Sequence, residues 1–269
     1  MSLQLFISVL FATLFLLLLI FKVVEPAYVL LFNKPLYIHW YLFSKKLKLS
    51  QRQILVNDFP FYNRLSPKRK IYFEHRVKEF IGNYQFIGKD IVITEQMQML
   101  VAGTYVMLTF GIRNYLIHLF NRIIIYPSSY YSTVNQTYHK GEFNPKMKAI
   151  VFSWEDFLLG HTTSNDNINL GLHEFSHVLH FHCLRSNDPS AIIFFDEFKQ
   201  VIKYYTDPNL NSELKQKGYF RLYAYANQFE FLSVILEHFF ETPHVFKATH
   251  PELYTHIAAM INFNEEYFK

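Results

Sequence analysis

The N-terminal run of uncharged residues limits most strongly what this chain can fold into. Leu3 to Phe21 holds 19 residues without a charged side chain. As a helix this run would extend roughly 28 Å, close to the thickness of a bilayer's hydrocarbon core. A cleaved signal peptide would need a basic start and small residues at a cleavage site, but Lys22 is followed by Val-Val-Glu-Pro-Ala. We therefore expect a retained transmembrane anchor within residues 1–24.

The basic residues predict the orientation of this anchor. Residues 1–89 carry 13 Lys and Arg against 4 Asp and Glu, whereas residues 90–269 carry 13 against 18. No Lys or Arg precedes the apolar run, and six follow it before residue 53. Since basic loops favour the cytoplasmic side, we expect a single-pass membrane protein with its body in the cytoplasm. The single cysteine, Cys183, is compatible with that reducing compartment.

A second apolar stretch, 27–43, is less suited to crossing a membrane because Lys34, Pro35 and His39 interrupt it. Its aromatic residues (Tyr37, Trp40 and Tyr41) are typical of a membrane interface. We interpret 25–54 as a basic juxtamembrane or interfacial segment. The basic charge could also indicate nucleic-acid binding, but no nucleic-acid motif is found. Because each basic residue gains about 1 kcal/mol near anionic lipid, we expect a membrane partner and no nucleic acid.

The remainder has the composition and patterning of a folded body. The chain is 51% hydrophobic and 19% aromatic, which excludes a disordered protein. Hydrophobic spacing and capping residues predict helices over 66–84, 94–109, 170–184, 190–205, 227–241 and 251–263. Short β-branched runs predict strands at 91–93, 122–126 and 149–154. Helices with a few short strands indicate an α+β domain with a small sheet.

One short motif carries recognisable chemistry. His173-Glu174-Phe175-Ser176-His177 is an HExxH sequence on a predicted helix. Histidines at positions i and i+4 lie on one helical face, so both imidazoles can reach one metal ion. The glutamate between them is placed to take a proton from water at that metal. The sequence therefore predicts a metal site with an adjacent general base.

A catalytic zinc site needs a third protein ligand and an open position. The HExxHxxGxxH arrangement is not present, because His180 stands at the glycine position and Cys183 at the last histidine position. The alternative is a glutamate on a later helix, where Glu230, Glu237 and Glu241 are candidates. Glu230 and Glu237 are seven apart and share a face. Periodicity alone does not choose between them.

Several separated motifs resemble the Mlc titration factor A family of zinc peptidases. They are IVFSWED (150–156), GLHEFSHVL (171–179), YAYANQFEF (223–231) and EHFFETP (237–243), with further similarity at 59–62 and 124–127. Together they cover most of residues 55–265. The resemblance implies a helix-rich, zincin-like domain of the gluzincin type over residues 55–269, with Zn²⁺ as cofactor and a peptide or protein as substrate.

The resemblance also implies a role for each matching residue. His173 and His177 match the histidine ligands of zinc, Glu174 the general base, and Glu230 the third ligand. Tyr223, seven residues before Glu230, matches a tyrosine that donates a hydrogen bond to the developing oxyanion; Tyr225 is the local alternative. Glu237 would then orient a histidine ligand.

Two residues depart from the family pattern, and they keep a second function open. The family usually has Ala at the position of Ser176 and Asp at that of His180, so metal affinity or activity is in question. We expect a zinc metallopeptidase; whether it is an endopeptidase or an aminopeptidase is open.

The alternative is a membrane-tethered regulatory or protein-binding module with a non-catalytic zinc site, since the family is named for binding a transcriptional repressor. A fourth ligand from His180 or Cys183 would favour that alternative.

A multi-span membrane protease also carries HExxH, but it would need further long apolar runs. After residue 43 the sequence contains no uninterrupted run of comparable length. We therefore expect one span only.

Overall fold

One continuous helix contains the apolar run in the computed structural model, which describes residues 2–132, 136–163 and 165–268. It consists of α1 (Leu3–Leu19), a π-helical turn (Ile20–Val24) and α2 (Glu25–Phe32). The N–H of Glu25 bonds to the carbonyl of Ile20, five residues back. This wider turn lies just before Pro26, whose ring would crowd a regular helix.

The helix spans 30 residues, and none of its most apolar 18-residue stretch is buried in the body. It is longer than the predicted run of 19 residues because α2 continues the helix beyond Lys22. By length and composition it is suited to crossing a membrane, although a signal sequence has the same character.

Helices make up most of the body, as predicted. They are α3 (Leu49–Asp58), α4 (Pro60–Arg64), α5 (Pro67–Asn83), α6 (Glu95–Leu108), α7 (Trp154–Thr162), α8 (Leu170–Cys183), α9 (Pro189–Val201), α10 (Lys203–Thr206), α11 (Pro208–Lys217), α12 (Gln228–Glu241), α13 (Pro243–Thr249) and α14 (Pro251–Met260). Short 3₁₀ turns cover Leu222–Tyr225 and Glu265–Phe268. The helix predicted over 190–205 divides into α9 and α10 at Ile202.

A four-stranded sheet lies beside these helices in the order β1-β2-β6-β5. Its strands are β1 (Gln85–Gly88), β2 (Arg122–Tyr126), β5 (Gly141–Asn144) and β6 (Ala149–Ser153), and β3 (Tyr130–Ser132) and β4 (Thr137–His139) form a separate hairpin. β1, β2 and β6 are parallel, with Ile124 opposite Val151. β5 pairs antiparallel with β6, placing Phe143 opposite Ile150. β5 is thus an edge strand.

The strand predicted at 91–93 is wrong; β1 occupies 85–88 instead. The chain turns back after Gly88, where an added Cβ would lie 1.9 Å from the carbonyl oxygen of Ile91. Asp90 takes a left-handed φ of 59° in the same turn. Because the turn brings the backbone back onto Gly88, the apolar triplet cannot continue the ladder.

Helix α8 is held in the core between the sheet and α12. Phe175, Val178 and Leu179 on α8 are 0% exposed. The Phe175 ring packs against Phe152 of β6 at 5.4 Å between centroids and against Tyr105 of α6 at 5.0 Å. With its apolar face fixed on both sides, α8 presents its polar face to the cleft beside β5.

The segment between the N-terminal helix and α3 is attached to the body. Glu25 is buried and pairs with Arg113, which donates from Nη1 to Glu25 Oε2 at 3.1 Å. Leu47 and Leu55 are also buried. The base of the N-terminal helix and the start of α3 are therefore tied to the same core as the rest of the body.

Candidate metal centre

Helix α8 carries both histidines of the HExxH motif. Its N-terminus is capped by Asn169, whose Oδ1 accepts from the N–H of Leu172 at 3.0 Å and whose Nδ2 donates to the carbonyl of Gly160 at 3.0 Å. One turn apart, the rings of His173 and His177 stand nearly perpendicular, with centroids 5.0 Å apart. The helical repeat thus directs both imidazoles to one side.

Helix α12 brings a carboxylate to the two histidines. Asn227 caps this helix, accepting from the N–H of Glu230 at 3.0 Å. Glu230 Oε2 lies 2.8 Å from His173 Nε2, and Glu230 Oε1 lies 3.7 Å from His177 Nε2. One ligand atom from each of the three residues falls within 4.8 Å of the others. Within the described residues this is the one His, Cys, Asp or Glu cluster that could hold a metal ion.

The donor atoms fit a divalent cation. Two imidazole nitrogens and one carboxylate oxygen are ligands that zinc accepts in catalytic sites. Glu230 Oε2 is buried and lies 2.8 Å from His173 Nε2, so the carboxylate and the imidazole face each other where a cation could bind. Burial lowers the pKa of His173, but Glu230 and Glu237 outweigh that effect and raise it to about 10. A metal ion would replace the proton that these carboxylates stabilise.

A buried ion pair orients His173. Glu237, 0% exposed, lies with Oε1 2.7 Å from His173 Nδ1. Arg221 donates to the two oxygens of Glu237 at 2.5 Å and 2.9 Å. Because Nδ1 is engaged by the carboxylate, Nε2 is the nitrogen left for a metal. No sequence signal marked Arg221, since it lies outside any motif.

We expect Glu237→Gln to lower zinc affinity by about 10–100-fold, because the amide no longer carries the charge that polarises His173. The measurement is competition for zinc against a chromogenic chelator. Glu213→Gln, which changes an exposed glutamate paired with Lys217, is the matched control and should leave zinc affinity unchanged. An unaltered affinity in Glu237→Gln would refute the orienting role.

Two serines lock α8 to α12 beneath the site. Ser176 Oγ donates to the carbonyl of His173 at 2.6 Å and lies 2.5 Å from Ser233 Oγ. Both serines are buried. The departure from the usual Ala at position 176 therefore leaves no unpaired hydroxyl, because Ser233 across the helix interface is its partner.

Glu174 faces the cleft beside the metal cluster. Its Oε2 accepts from the N–H of Phe143 in β5 at 3.1 Å. Burial raises the pKa of Glu174 to about 7, which suits a group that takes up and releases a proton near neutrality. An added Cβ at Gly141 would lie 2.9 Å from Glu174 Cγ, so the absent side chain lets β5 approach. The sequence prediction missed β5 because its run, Gly-Glu-Phe-Asn, has no β-branched residue.

The two candidate tyrosines lie in different surroundings. Tyr223 is half-exposed at the cleft, its ring centroid 5.8 Å from that of His173. Burial, with the nearby charge of Glu230, raises the pKa of Tyr223 to about 12, so its hydroxyl stays protonated. Tyr225 instead packs against Phe231 and beneath Lys215. Tyr223 is the tyrosine that the structure brings to the metal cluster.

Neither His180 nor Cys183 joins the cluster. The ring of His180 packs against Phe198 and Phe229, with centroids 4.4 Å and 5.2 Å away, and burial lowers its pKa to about 4. Cys183 is a buried free thiol. The departure from Asp at position 180 therefore places a neutral imidazole among aromatic rings.

A cleft of about 440 Å³ lies beside His173, Glu174 and Tyr223. Its lining includes residues 138–141, where β4 passes into β5, together with His173, Glu174, Arg221 and Tyr223. His173 of the metal cluster and the Glu174 carboxylate line the same cleft. A candidate metal site with a carboxylate beside it in a cleft is an arrangement found in metallopeptidases.

Comparison with known proteins agrees with this class. The model of the family described as glucose-regulated metallo-peptidase M90 matches residues 38–261, so the chain belongs to this family. The resemblance to the Mlc titration factor A family, which is the same family, is confirmed. An uncharacterized protein of Synechocystis is 26% identical, with 83% of each chain covered. Membership implies a metallopeptidase.

Proposed function

We propose that this protein is a membrane-anchored zinc peptidase of the gluzincin type. The observation that carries this proposal is the cluster of His173, His177 and Glu230, whose His173 lines one cleft together with Glu174. A zinc ion held by the three residues would polarise the substrate carbonyl and make a water molecule more acidic. Three ligands leave a position open for chemistry, whereas structural sites are usually closed by four.

The protein's own groups perform the proton transfers in this mechanism. Glu174 accepts a proton from the attacking water and then delivers it to the amine that leaves the cleaved bond. The hydroxyl of Tyr223 donates a hydrogen bond to the carbonyl oxygen as negative charge develops there. Glu237 and Arg221 hold the imidazole of His173 in one tautomer throughout. The edge strand β5 offers its backbone to an extended peptide beside Glu174.

We place the anchor in residues 1–24, the interfacial segment in 25–54 and the peptidase domain in 55–269, with that domain in the cytoplasm. The burial of Leu47 and the family match from residue 38 favour counting the later part of the interfacial segment with the domain. A peptide or protein is the substrate. A regulatory protein partner is a further proposal, based on the name of the resembled family.

Metal-dependent hydrolysis by the purified full-length chain tests the proposal. We expect chelator treatment to remove zinc and peptide cleavage together, and stoichiometric zinc to restore both. The alternative, a regulatory or binding module with a non-catalytic zinc site, predicts that zinc binds but that no peptide in a diverse library is cleaved. That result would overturn the proposed activity.

A further inference from the structure

Three large apolar side chains project from the loop that follows the N-terminal helix. Trp40, Leu42 and Phe43 are 66%, 82% and 90% exposed. The described residues 33–48 form neither helix nor strand, so no element of their own covers these side chains. A cluster of this kind is more typical of an interaction site than of a surface that faces only water.

The backbone of this loop is fixed by the neighbours of the exposed residues. Tyr41 accepts a hydrogen bond from Arg76 Nε at 2.6 Å, and the ring of His39 stacks on Tyr72 at 4.9 Å. The N–H of Lys45 donates to His75 Nδ1 at 2.9 Å. His39 and Tyr41 thus pack inward while Trp40 and Leu42 point outward, and the body holds the apolar side chains in place.

The loop lies near the end of the apolar helical run. The ring of Tyr37 contacts Phe21 at 6.4 Å and Trp40 at 5.6 Å between centroids. Arg113 donates to the carbonyl of Tyr37 at 3.0 Å, which ties this contact to the body. Tyr37 thus links Trp40 to Phe21, which is near the C-terminal end of the proposed span. We infer that Trp40 lies where this span leaves the hydrocarbon core. Tryptophan is favoured at that depth of a bilayer.

Basic residues follow the apolar ones directly. Lys45, Lys46 and Lys48 are all exposed, and Lys45 keeps 60% of its side chain accessible while it pairs with Glu79. Anionic lipid headgroups attract such residues by about 1 kcal/mol each. Apolar side chains beside basic ones are the combination that binds membrane interfaces.

We propose that Trp40, Leu42 and Phe43 form an insertion loop that enters the headgroup region of an anionic bilayer and holds the body against the membrane surface. This proposal rests on the proposed membrane anchor, but it concerns contacts made by the body itself. Charge complementarity and continuity with the apolar helix favour a bilayer over a protein as the occupant.

Trp40 provides the test because the chain has two tryptophans. Trp154 stacks on Phe157 at 5.6 Å, so Trp154→Phe keeps a ring in that stack and leaves Trp40 as the reporter. This full-length variant is reconstituted into phosphatidylcholine–phosphatidylglycerol vesicles, with or without acyl chains brominated near the headgroup. We expect weaker Trp40 emission in the brominated vesicles and shielding of Trp40 from acrylamide.

Two further variants are compared in the same background. Leu42→Ser with Phe43→Ser should reduce the quenching by brominated lipid, because the loop loses its apolar contacts. Val92→Ser, which removes an apolar residue 82% exposed on the loop between β1 and α6, should leave the quenching unchanged. An equal loss of quenching in both variants would overturn the assignment to this loop.

Carbonate extraction of the vesicles reads out the anchor separately. In one outcome the protein stays in the membrane, but Trp40 is not quenched by brominated lipid and remains accessible to acrylamide. That result supports the anchor and refutes the insertion loop. Trp40 shielding that depends on protein concentration and not on brominated lipid would instead assign the surface to a second copy, and would also refute it. Quenching of Trp40 in protein that carbonate extracts supports the loop and refutes the anchor.

Discussion

Glu174→Gln should lower kcat/KM for peptide hydrolysis by about 10²–10⁴-fold, the contribution typical of a positioned general base. The glutamine keeps an amide oxygen that can accept from the N–H of Phe143, so β5 should stay in place. Glu174 lies outside the metal cluster, so zinc content should match that of the parent. Steady-state kinetics and elemental analysis of the same preparation measure both quantities.

The control for this variant is Glu155→Gln, which changes an exposed glutamate on α7. It should leave both rate and zinc content unchanged. If Glu174→Gln cleaves peptides as fast as the parent, Glu174 is not the base. If Glu174→Gln loses zinc together with activity, Glu174 maintains the metal site, and its proposed role in proton transfer is refuted.

Glu230→Ala should lower zinc affinity by more than the roughly 10–100-fold expected when a residue that only orients a ligand is replaced. The reason is that Glu230 supplies the third ligand atom of the cluster, whereas Glu237 touches the Nδ1 side of His173. Zinc titration of both variants under one protocol measures the order of their effects.

Glu241→Gln on the same helix is the control for Glu230→Ala, since Glu241 hydrogen-bonds to Asn169 and not to a member of the metal cluster. Its zinc affinity should stay close to that of the parent. Full zinc occupancy in Glu230→Ala would transfer the ligand role to Glu237. A loss in Glu241→Gln as large as that in Glu230→Ala would point to a general disturbance of α12.

Predictions from local patterns agree well with the structure of the helices. α5, α6, α8 and α12 begin and end within a residue of the predicted bounds. Their capping residues and apolar spacing act over one or two turns, so neighbouring residues suffice to define them. The prediction of a strand at 91–93 is wrong because the chain returns closely over Gly88. This return is a property of the backbone path, which the side chains of the apolar triplet do not reveal.

In the interfacial segment, too, local sequence patterns predict one part of the structure and long-range contacts determine the other. The apolar run and its basic flank are visible in the sequence, and they predict membrane contact for Tyr37, Trp40 and Tyr41 alike. In the structure only Trp40 is exposed, while Tyr41 binds Arg76 and Tyr37 packs beside Arg113. Those inward contacts join residues more than thirty positions apart, which no local periodicity reveals.

By itself the sequence determined that two histidines share one helical face with a glutamate beside them, because residues four apart on a helix are neighbours whatever the rest of the chain does. Helical periodicity left Glu230 and Glu237 equivalent, since residues seven apart lie on the same face, and only the family resemblance favoured Glu230. In the tertiary structure the two glutamates take different positions through the packing of α12 on α8, which sets Glu230 against Nε2 of His173 and Glu237 against Nδ1. The tertiary structure also supplied Arg221 and the β5 edge at Glu174. These contacts depend on distant segments meeting in space.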